Sequence, residues 1–395
     1  MSNIKKIYLT GFLRNMHFFG GVMVPMFMDW GGLSFPAVLL LQSWFNICIF
    51  AFEIPTGYVA DRFGRKTSYV LGVFVGMIGF FTYTLKPELV YFVTGETLLA
   101  LSSALISGAD EALLYDTLLV QDLQSTADKV VGNYRRIQLS GSIPAIILGG
   151  FLGERFNLIL PMQLTAFASC LAFLVSLTIA EISHNDVKAT TKQRIHLMAG
   201  LKHLRETPVI RPYWIDFVIV NIIARSILWM YQPILGHIGV PLRYFGVVQA
   251  TAMLIELLVI SNMLHLDTVV GNRNKTLMLT RRLTMLGFLI TCAGVYIGAT
   301  HTGQLLAISG ILITFGFGLS RRPFYTQIFN EHIPSAIRAT TLSSISMFSS
   351  LGVVFVNPLT GILTSQSLAC ACGTYGTLLG VWDRLNQLMY RTKVE

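Results

Sequence analysis

Charge is scarce in this chain. Of its 395 residues, 12% are Asp, Glu, Lys or Arg and 53% are hydrophobic, whereas a soluble domain carries roughly 25% charged residues. So little charge excludes an ordinary water-soluble globule, which would have nothing with which to cover its surface. It suits a bundle of helices in lipid, where charge is needed only at the ends and in the interior. The mean hydropathy of +0.62 agrees. Cysteine is scarce too: Cys48, Cys170, Cys292, Cys370 and Cys372 all lie in apolar stretches, where a thiol acts as a small hydrophobe. No disulfide framework or Cys/His metal spacing results. Also missing are a G-x-x-x-x-G-K nucleotide loop, paired metal-binding histidines and a nucleophile-base set. An enzyme and an ATP-driven pump are therefore not expected, and neither a cofactor nor a metal is called for.

What the sequence has instead is length without charge. Stretches of roughly 20 apolar residues cross a hydrocarbon core as helices, and about twelve occur. They centre near Gly20, Ile47, Val75, Leu101, Ile146, Ala172, Ile223, Leu254, Phe288, Leu312, Phe348 and Thr374. The last, from Ser367 to Trp382, is short and holds Cys370, Cys372 and three glycines, which leaves eleven crossings open. The opening MSNIKKIYLTGFLRNMHFF has polar interruptions and no small-residue cleavage site, and reads as a retained first span.

Twelve crossings place both termini on one side. Sorted that way, 24 of the 29 Lys and Arg fall on the N-terminal face, while Lys86, Arg155 and Arg243 fall on the other and Arg14 and Arg225 lie within spans. Cationic loops stay inside, so a multi-pass protein of the cytoplasmic (inner) membrane with both termini cytoplasmic is expected. The net charge of +9 is thus strung along short loops of one face, which does not mark a nucleic-acid partner. The longest polar stretch, Glu181 to Pro212, divides the chain into six-span halves at 1–180 and 211–395 joined by a linker at 181–210. Residues Arg194 to Arg205 within it read either as a basic amphipathic helix on the inner leaflet or as a solvated linker. A faint repeat links the halves: GRKTSYVLG at Gly64 and GNRNKTLML at Gly271 both follow the second span of their half, with Lys66 and Lys275 separated by 209 residues. Repeated halves facing a central site are a common transporter plan.

Between spans two and three, Gly57, Asp61, Arg62, Gly64, Arg65 and Lys66 spell G-x-x-x-D-R-x-G-R-K. This resembles the signature loop of the major facilitator superfamily, and the resemblance covers the whole chain. EIPTG at Glu53, GADEALLYD at Gly108 and NEHIPSAIRAT at Asn330 resemble a bacterial branch usually described as drug-efflux or general transporters. The resemblance implies an all-α integral membrane fold of twelve transmembrane helices in two pseudo-symmetric six-helix bundles, with the loop locking the cytoplasmic side. Physically, Asp61 suits the N-terminal turn of a helix, with span eleven after Pro334, capped by Ser335, as the candidate. Gly57 and Gly64 suit close approach and a tight turn. Arg62, Arg65 and Lys66 are expected to meet acids, Asp116 nearest, with Arg135 or Arg136 completing a network. The plainer reading is that these bases only mark the cytoplasmic face. Two departures stand out: the second-half copy has no obvious D-R pair, and in GSIPAIILGGFLG four residues separate Pro144 from Gly149 where the antiporter motif has two. That stretch reads more simply as small-residue helix packing.

Charges inside spans are functional candidates because lipid penalises them by several kcal/mol. Arg225 and Glu256 fall at similar depth in spans seven and eight and are expected to pair, either permanently or in a bond that opens on protonation. Asn221, Arg225, Trp229 and Gln232 share a face of span seven. Gln42, Asn46, Glu53 and Gly57 form a stripe on span two, Glu96, Ser103, Ser107 and Asp110 one on span four, and Arg14 and His17 share a face of span one. Glu53, Asp110, Glu111 and Asp116 are expected to form gating ion pairs with Arg14, Arg135 and Arg136. A buried carboxyl that takes and loses a proton as access alternates converts a proton gradient into work; Glu256, Glu96 and Asp110, in that order, are the carriers expected here, with Glu53 a further candidate. His17 is either a carrier or a packing residue.

Together these readings point to a proton-coupled secondary transporter moving a small amphipathic solute, more naturally outward, as a monomer in the bilayer. The alternatives are a proton-coupled importer of a metabolite or metal-chelating molecule, and a membrane receptor that does not transport.

Overall fold

Backbone amides in lipid must find partners within their own segment, and the long apolar runs accordingly fold as helices. The computed structural model describes residues 2–181 and 204–391. Two compact units result, Met1–Lys192 with Leu242–Val247, and Gln193–Pro241 with Val248–Glu395. Most of the expected basic helix at Arg194 to Arg205, up to residue 203, and most of the 181–210 linker lie outside the described residues.

The first unit contains α1 (Asn3–Arg14), α2 (Phe35–Phe63), α3 (Arg65–Tyr83), α4 (Leu89–Ile106), α5 (Ala109–Val120), α6 (Ala127–Arg155) and α7 (Leu160–Leu177). The second contains α8 (Arg211–His237), most of α9 (Phe245–Ser261), α10 (Met263–Val270), α11 (Arg273–Ile297), α12 (His301–Leu319), α13 (Arg322–His332), α14 (Ser335–Gln366) and α15 (Leu368–Arg391). Among the described residues nine helices are long and apolar enough to cross a membrane. The expected first, third and last crossings are not among those nine, yet each is helical: α1 with short turns as far as Trp30, α3, and α15, which runs unbroken for 24 residues through the stretch that looked too short. Large apolar side chains such as Leu258, Leu305 and Phe355 are exposed, as lipid-facing positions are.

Local chemistry sets the helix ends. Ser34 Oγ accepts from the Ala37 amide at the start of α2, Asn272 Oδ1 from that of Lys275 at the start of α11, and Thr300 Oγ1 from that of Gly303 at the start of α12. The expected Ser335 cap is corrected: Ser335 is the first residue of α14, and Pro334, whose ring supplies no amide donor, holds the N-cap position. The fourth expected span is two helices, because Gly108 adopts φ +75° between α4 and α5, a conformation that disfavours any side chain.

Small residues of α6 meet the broken first span at backbone distance. A Cβ on Gly149 would stand 1.7 Å from the Phe18 carbonyl oxygen, and one on Gly153 would stand 2.8 Å from the Val22 side chain. This is the close packing that small-xxx-small spacing permits. Gly149→Val is expected to cost at least about 1–3 kcal/mol by overpacking and to reduce the yield of monodisperse protein in size-exclusion chromatography. Wild-type yield and elution would contradict the contact.

Candidate functional site

A break in the first span builds the first site. Helix α1 stops at Asn15, whose Nδ2 donates to the Gly11 carbonyl at 2.7 Å, and the chain continues from His17 into a short turn at Phe18–Gly21. The break places Arg14 and His17 on the wall of a cavity of about 180 Å³, opposite Met77 and Phe80 of α3, Ser103 of α4 and Ser169 of α7. The His17 ring lies 5.5 Å from that of Phe19 and 6.1 Å from that of Phe80. Arg14 Nη2 is 3.6 Å from Asp110 Oδ2, to which the Tyr134 hydroxyl donates at 3.3 Å. Arg14 and His17, expected on one face of span one, and Ser103, expected on the stripe of span four, thus line one cavity.

Glu96 lies on α4 at 2% exposure, and Gln42 of α2 donates to its Oε1 from Nε2 at 2.5 Å. Asn46 Nδ2 donates to the Gln42 carbonyl at 2.8 Å, so the buried part of the span-two stripe is hydrogen-bonded to the span-four stripe. No ion pair reaches Glu96 among the described residues. Glu53, half-buried, is in no ion pair there either.

The signature segment turns at Gly64, φ +92°, and Arg65 opens α3. Arg65 Nη1 stands 2.6 Å from Asp116 Oδ1 of α5, and Lys66 Nζ 3.2 Å from Glu181 Oε2. Arg62 lies over the Tyr58 and Phe63 rings and donates to the Tyr58 hydroxyl, rather than meeting an acid. Asp61 is exposed on the last turn of α2. Of the expected gating pairs, Arg14 meets Asp110 and Arg135 meets Glu111 at 2.5 Å, while Arg136 donates to Asn133 Oδ1 at 3.3 Å and has no acid partner among the described residues. The choices of Arg135 and Arg136 are local, one turn along α6 or across to the start of α5. Gly57 has open space around it, no described atom lying within 4 Å of a Cβ built there, so it is not a point of close approach in this conformation.

In the second unit, the expected face of α8 is partly engaged. Asn221 Oδ1 accepts from Ser349 Oγ at 2.9 Å; buried Gln232 donates to the Tyr231 hydroxyl at 2.6 Å, which donates to Gln249 Oε1 at 2.8 Å. Trp229 is half-buried. The Arg225–Glu256 pair is not formed: both are half-buried, and no ion pair among the described residues includes either. Equal depth on consecutive spans does not bring side chains together when the helices are not mutual neighbours, and α8 packs chiefly on α12 and α14.

The largest ionic cluster was not foreseen. Asp216, 3% exposed on α8, receives Arg281 Nη1 and Arg321 Nη2, each at 2.7 Å, Trp382 Nε1 at 2.7 Å, and the Tyr325 hydroxyl. Asp383 receives Arg281 Nη2 at 2.6 Å and Arg282 Nε at 3.0 Å. Charge sorting had treated these arginines as loop markers, but Arg281 and Arg321 are 3% and 2% exposed. The available signal was the pair of arginine doublets, Arg281-Arg282 and Arg321-Arg322, matched with acids at the ends of apolar spans. The repeat between the halves can also be followed in the backbone. Gly271 turns with φ +110° as Gly64 does, and Arg273, first in α11, pairs with Asp267 and donates to the Phe324 carbonyl and Gln327 of α13. The second-half copy has no adjacent Asp-Arg, as expected, but its loop is held by an ion pair between residues six positions apart.

With this geometry in place, comparison with known proteins is informative. A family model described as Major Facilitator Superfamily matches residues 7–357. An uncharacterized MFS-type transporter YxaM of Bacillus subtilis (strain 168) is 22% identical over 340 residues, 84% of this chain and 82% of that one. An uncharacterized transporter of Buchnera aphidicola subsp. Schizaphis graminum is 23% identical over 145 residues, 37% of this chain, which spans only 36% of that relative's length. The fold is similar to that of the nucleoside transporter NupG, with a TM-score of 0.82 at 14% identity covering 99% of each chain. It is also similar to that of the POT family transporter PepTSo, with a TM-score of 0.75 at 14% identity covering 99% of this chain and 98% of that one.

Proposed function

This chain belongs to the major facilitator superfamily and is a multi-pass membrane transporter rather than an enzyme, and from that premise we propose that it is a proton-coupled secondary transporter exporting a small amphipathic solute across the cytoplasmic membrane by alternating access. Glu96 carries the reading. It is a carboxyl buried in the apolar interior, held by the Gln42 amide and free of any cation among the described residues. Such a group changes its proton occupancy when water reaches it from one side or the other, which is what coupling requires. The cavity wall of Arg14, His17 and serines beside Met77 and Phe80 supports a cargo with one polar end and one apolar body. The outward direction rests on the resemblance of the EIPTG and NEHIPSAIRAT segments to efflux carriers, and the cytoplasmic termini on the one-sided basic loops.

The test uses proteoliposomes holding a pH-sensitive dye and a panel of small amphipathic solutes. Solute-dependent proton movement, and accumulation that a protonophore collapses, are the expected results. Accumulation indifferent to the gradient would remove proton coupling. A strain lacking the protein is expected to be hypersensitive to the solute; poorer growth on it as sole nutrient would instead reverse the direction.

A further inference from the structure

The cavity beside the α1 break is selective in what it lacks. Arg14 is its sole cation, and that cation is incompletely matched: its distance to Asp110 is 3.6 Å, against 2.6 Å for Arg65 and Asp116 in the same unit. Its buried Nε has no hydrogen-bond partner among the described residues. Across the cavity, Ser169 is 3% exposed, and its buried Oγ is likewise without a partner there. Unmet donors buried at this depth each cost about 1–3 kcal/mol unless something enters to meet them. A guanidinium presents a planar fork that a carboxylate meets with two parallel bonds, and Asp110 with its Tyr134 hydrogen bond already supplies one negative charge nearby. Because Asp110 already balances the charge of Arg14, a guest with two negative charges would be repelled more strongly than a monocarboxylate, whose oxygens are enough to meet the unpartnered Arg14 Nε.

Size narrows the guest further. A volume of about 180 Å³ is well under the roughly 300–1,000 Å³ of drug-sized sites. The apolar wall is Val73, Met77, Phe80, Leu99 and Ile106, with Asn15, Ser102 and Ser103 adding polar groups, and the His17 ring is tilted against those of Phe19 and Phe80 at 5.5 and 6.1 Å. We propose that this cavity binds a small organic monocarboxylate with a compact hydrocarbon body, Arg14 taking the carboxylate, Ser169 adding a hydrogen bond, and Met77 and Phe80 holding the apolar part. This deepens the transport reading by naming the cargo class, and it rests on that reading only for the cargo's onward movement.

Calorimetric titration of the full-length protein in lipid nanodiscs tests the site with benzoate, its neutral analogue benzamide, and the longer 4-phenylbenzoate. Benzoate is expected to bind at least about tenfold more tightly than benzamide, and more tightly than 4-phenylbenzoate. Arg14→Gln is expected to weaken benzoate by about 10–100-fold, the loss of a charge-assisted bond pair, and Ser169→Ala by a few-fold. Arg14→Lys keeps the charge and loses the fork, and is expected to lose about tenfold, which keeps the test decisive should the glutamine variant not fold. Lys86→Gln, which removes an exposed cation elsewhere, is expected to change nothing. Equal affinity for benzoate and benzamide, undiminished binding in both Arg14 variants, or a matching loss in the Lys86 variant would each overturn the proposal. Proteoliposomes that couple protons to another solute while benzoate fails to bind would sink this site and leave the transport reading intact. Benzoate binding with no solute ever moved would do the reverse.

Discussion

Asp216→Ala is expected to be the most destabilising single substitution in the second unit. It removes the one carboxylate shared by Arg281 and Arg321, both of them buried, and leaves the Trp382 and Tyr325 donors without their acceptor. Breaking a buried pair by deleting one partner costs about 3–5 kcal/mol, because the surviving charge stays out of water. The protein as a whole is expected to lose of order 10 °C in melting temperature, read by fluorescence-detected size exclusion after heating. Asp216→Asn keeps the shape and one acceptor oxygen and is expected to lose less than the alanine variant. Adding Arg321→Met to Asp216→Ala is expected to restore part of the loss, since neighbours in one network are not additive. An unchanged melting temperature in Asp216→Ala would show that the cluster is solvated and that its ion pairs contribute little.

Glu96→Gln is expected to have the largest functional effect. Glutamine retains an oxygen to accept from Gln42 Nε2, so the α2–α4 contact persists, but it neither takes nor gives up a proton. Gradient-driven accumulation is expected to fall by about 10²-fold or more, the scale set by removing a positioned proton-transfer group. Exchange of labelled for unlabelled solute, which needs no net proton movement, is expected to continue. That split separates a carrier from a packing residue: a merely structural Glu96 would lose both activities together, and gradient-driven accumulation at the wild-type rate would remove Glu96 from the coupling. Glu256→Gln in the same assay ranks the second candidate, since Glu256 is half-buried and has no ion-pair partner among the described residues.

How much of this was legible in the sequence depends on what each feature is made of. Apolar run length is a one-dimensional quantity, and it located the helices, including those that do not themselves reach the length and apolarity a crossing needs. The turn at Gly64 and the meeting of Arg65 with Asp116 were also readable, because a glycine with positive φ and a short α4–α5 break leave few arrangements. Rotation of one helix about its axis relative to another is not written in any single run. The Arg225–Glu256 pair failed there, as depth was right and neighbourhood wrong. The Asp216 cluster draws on residues 65, 105 and 166 positions apart, and each arginine looked like a loop cation because it stands near a span's end. The shared face of Arg14 and His17 was readable, but their meeting with the Ser103 stripe of span four in one cavity depends on how the helices pack, which no single run records.

The turn at Gly64 and the turn at Gly271 anchor their helices by the same kind of bond. In each half an arginine opens the helix after a left-handed glycine and reaches the short helix two segments on, Arg65 to the Ala112 carbonyl and Arg273 to that of Phe324. The residues around the two differ, while the glycine turn and the bond to a main-chain oxygen are common to both. A carbonyl acceptor is present at every residue, so this bond asks nothing of the side chain at the position that supplies it.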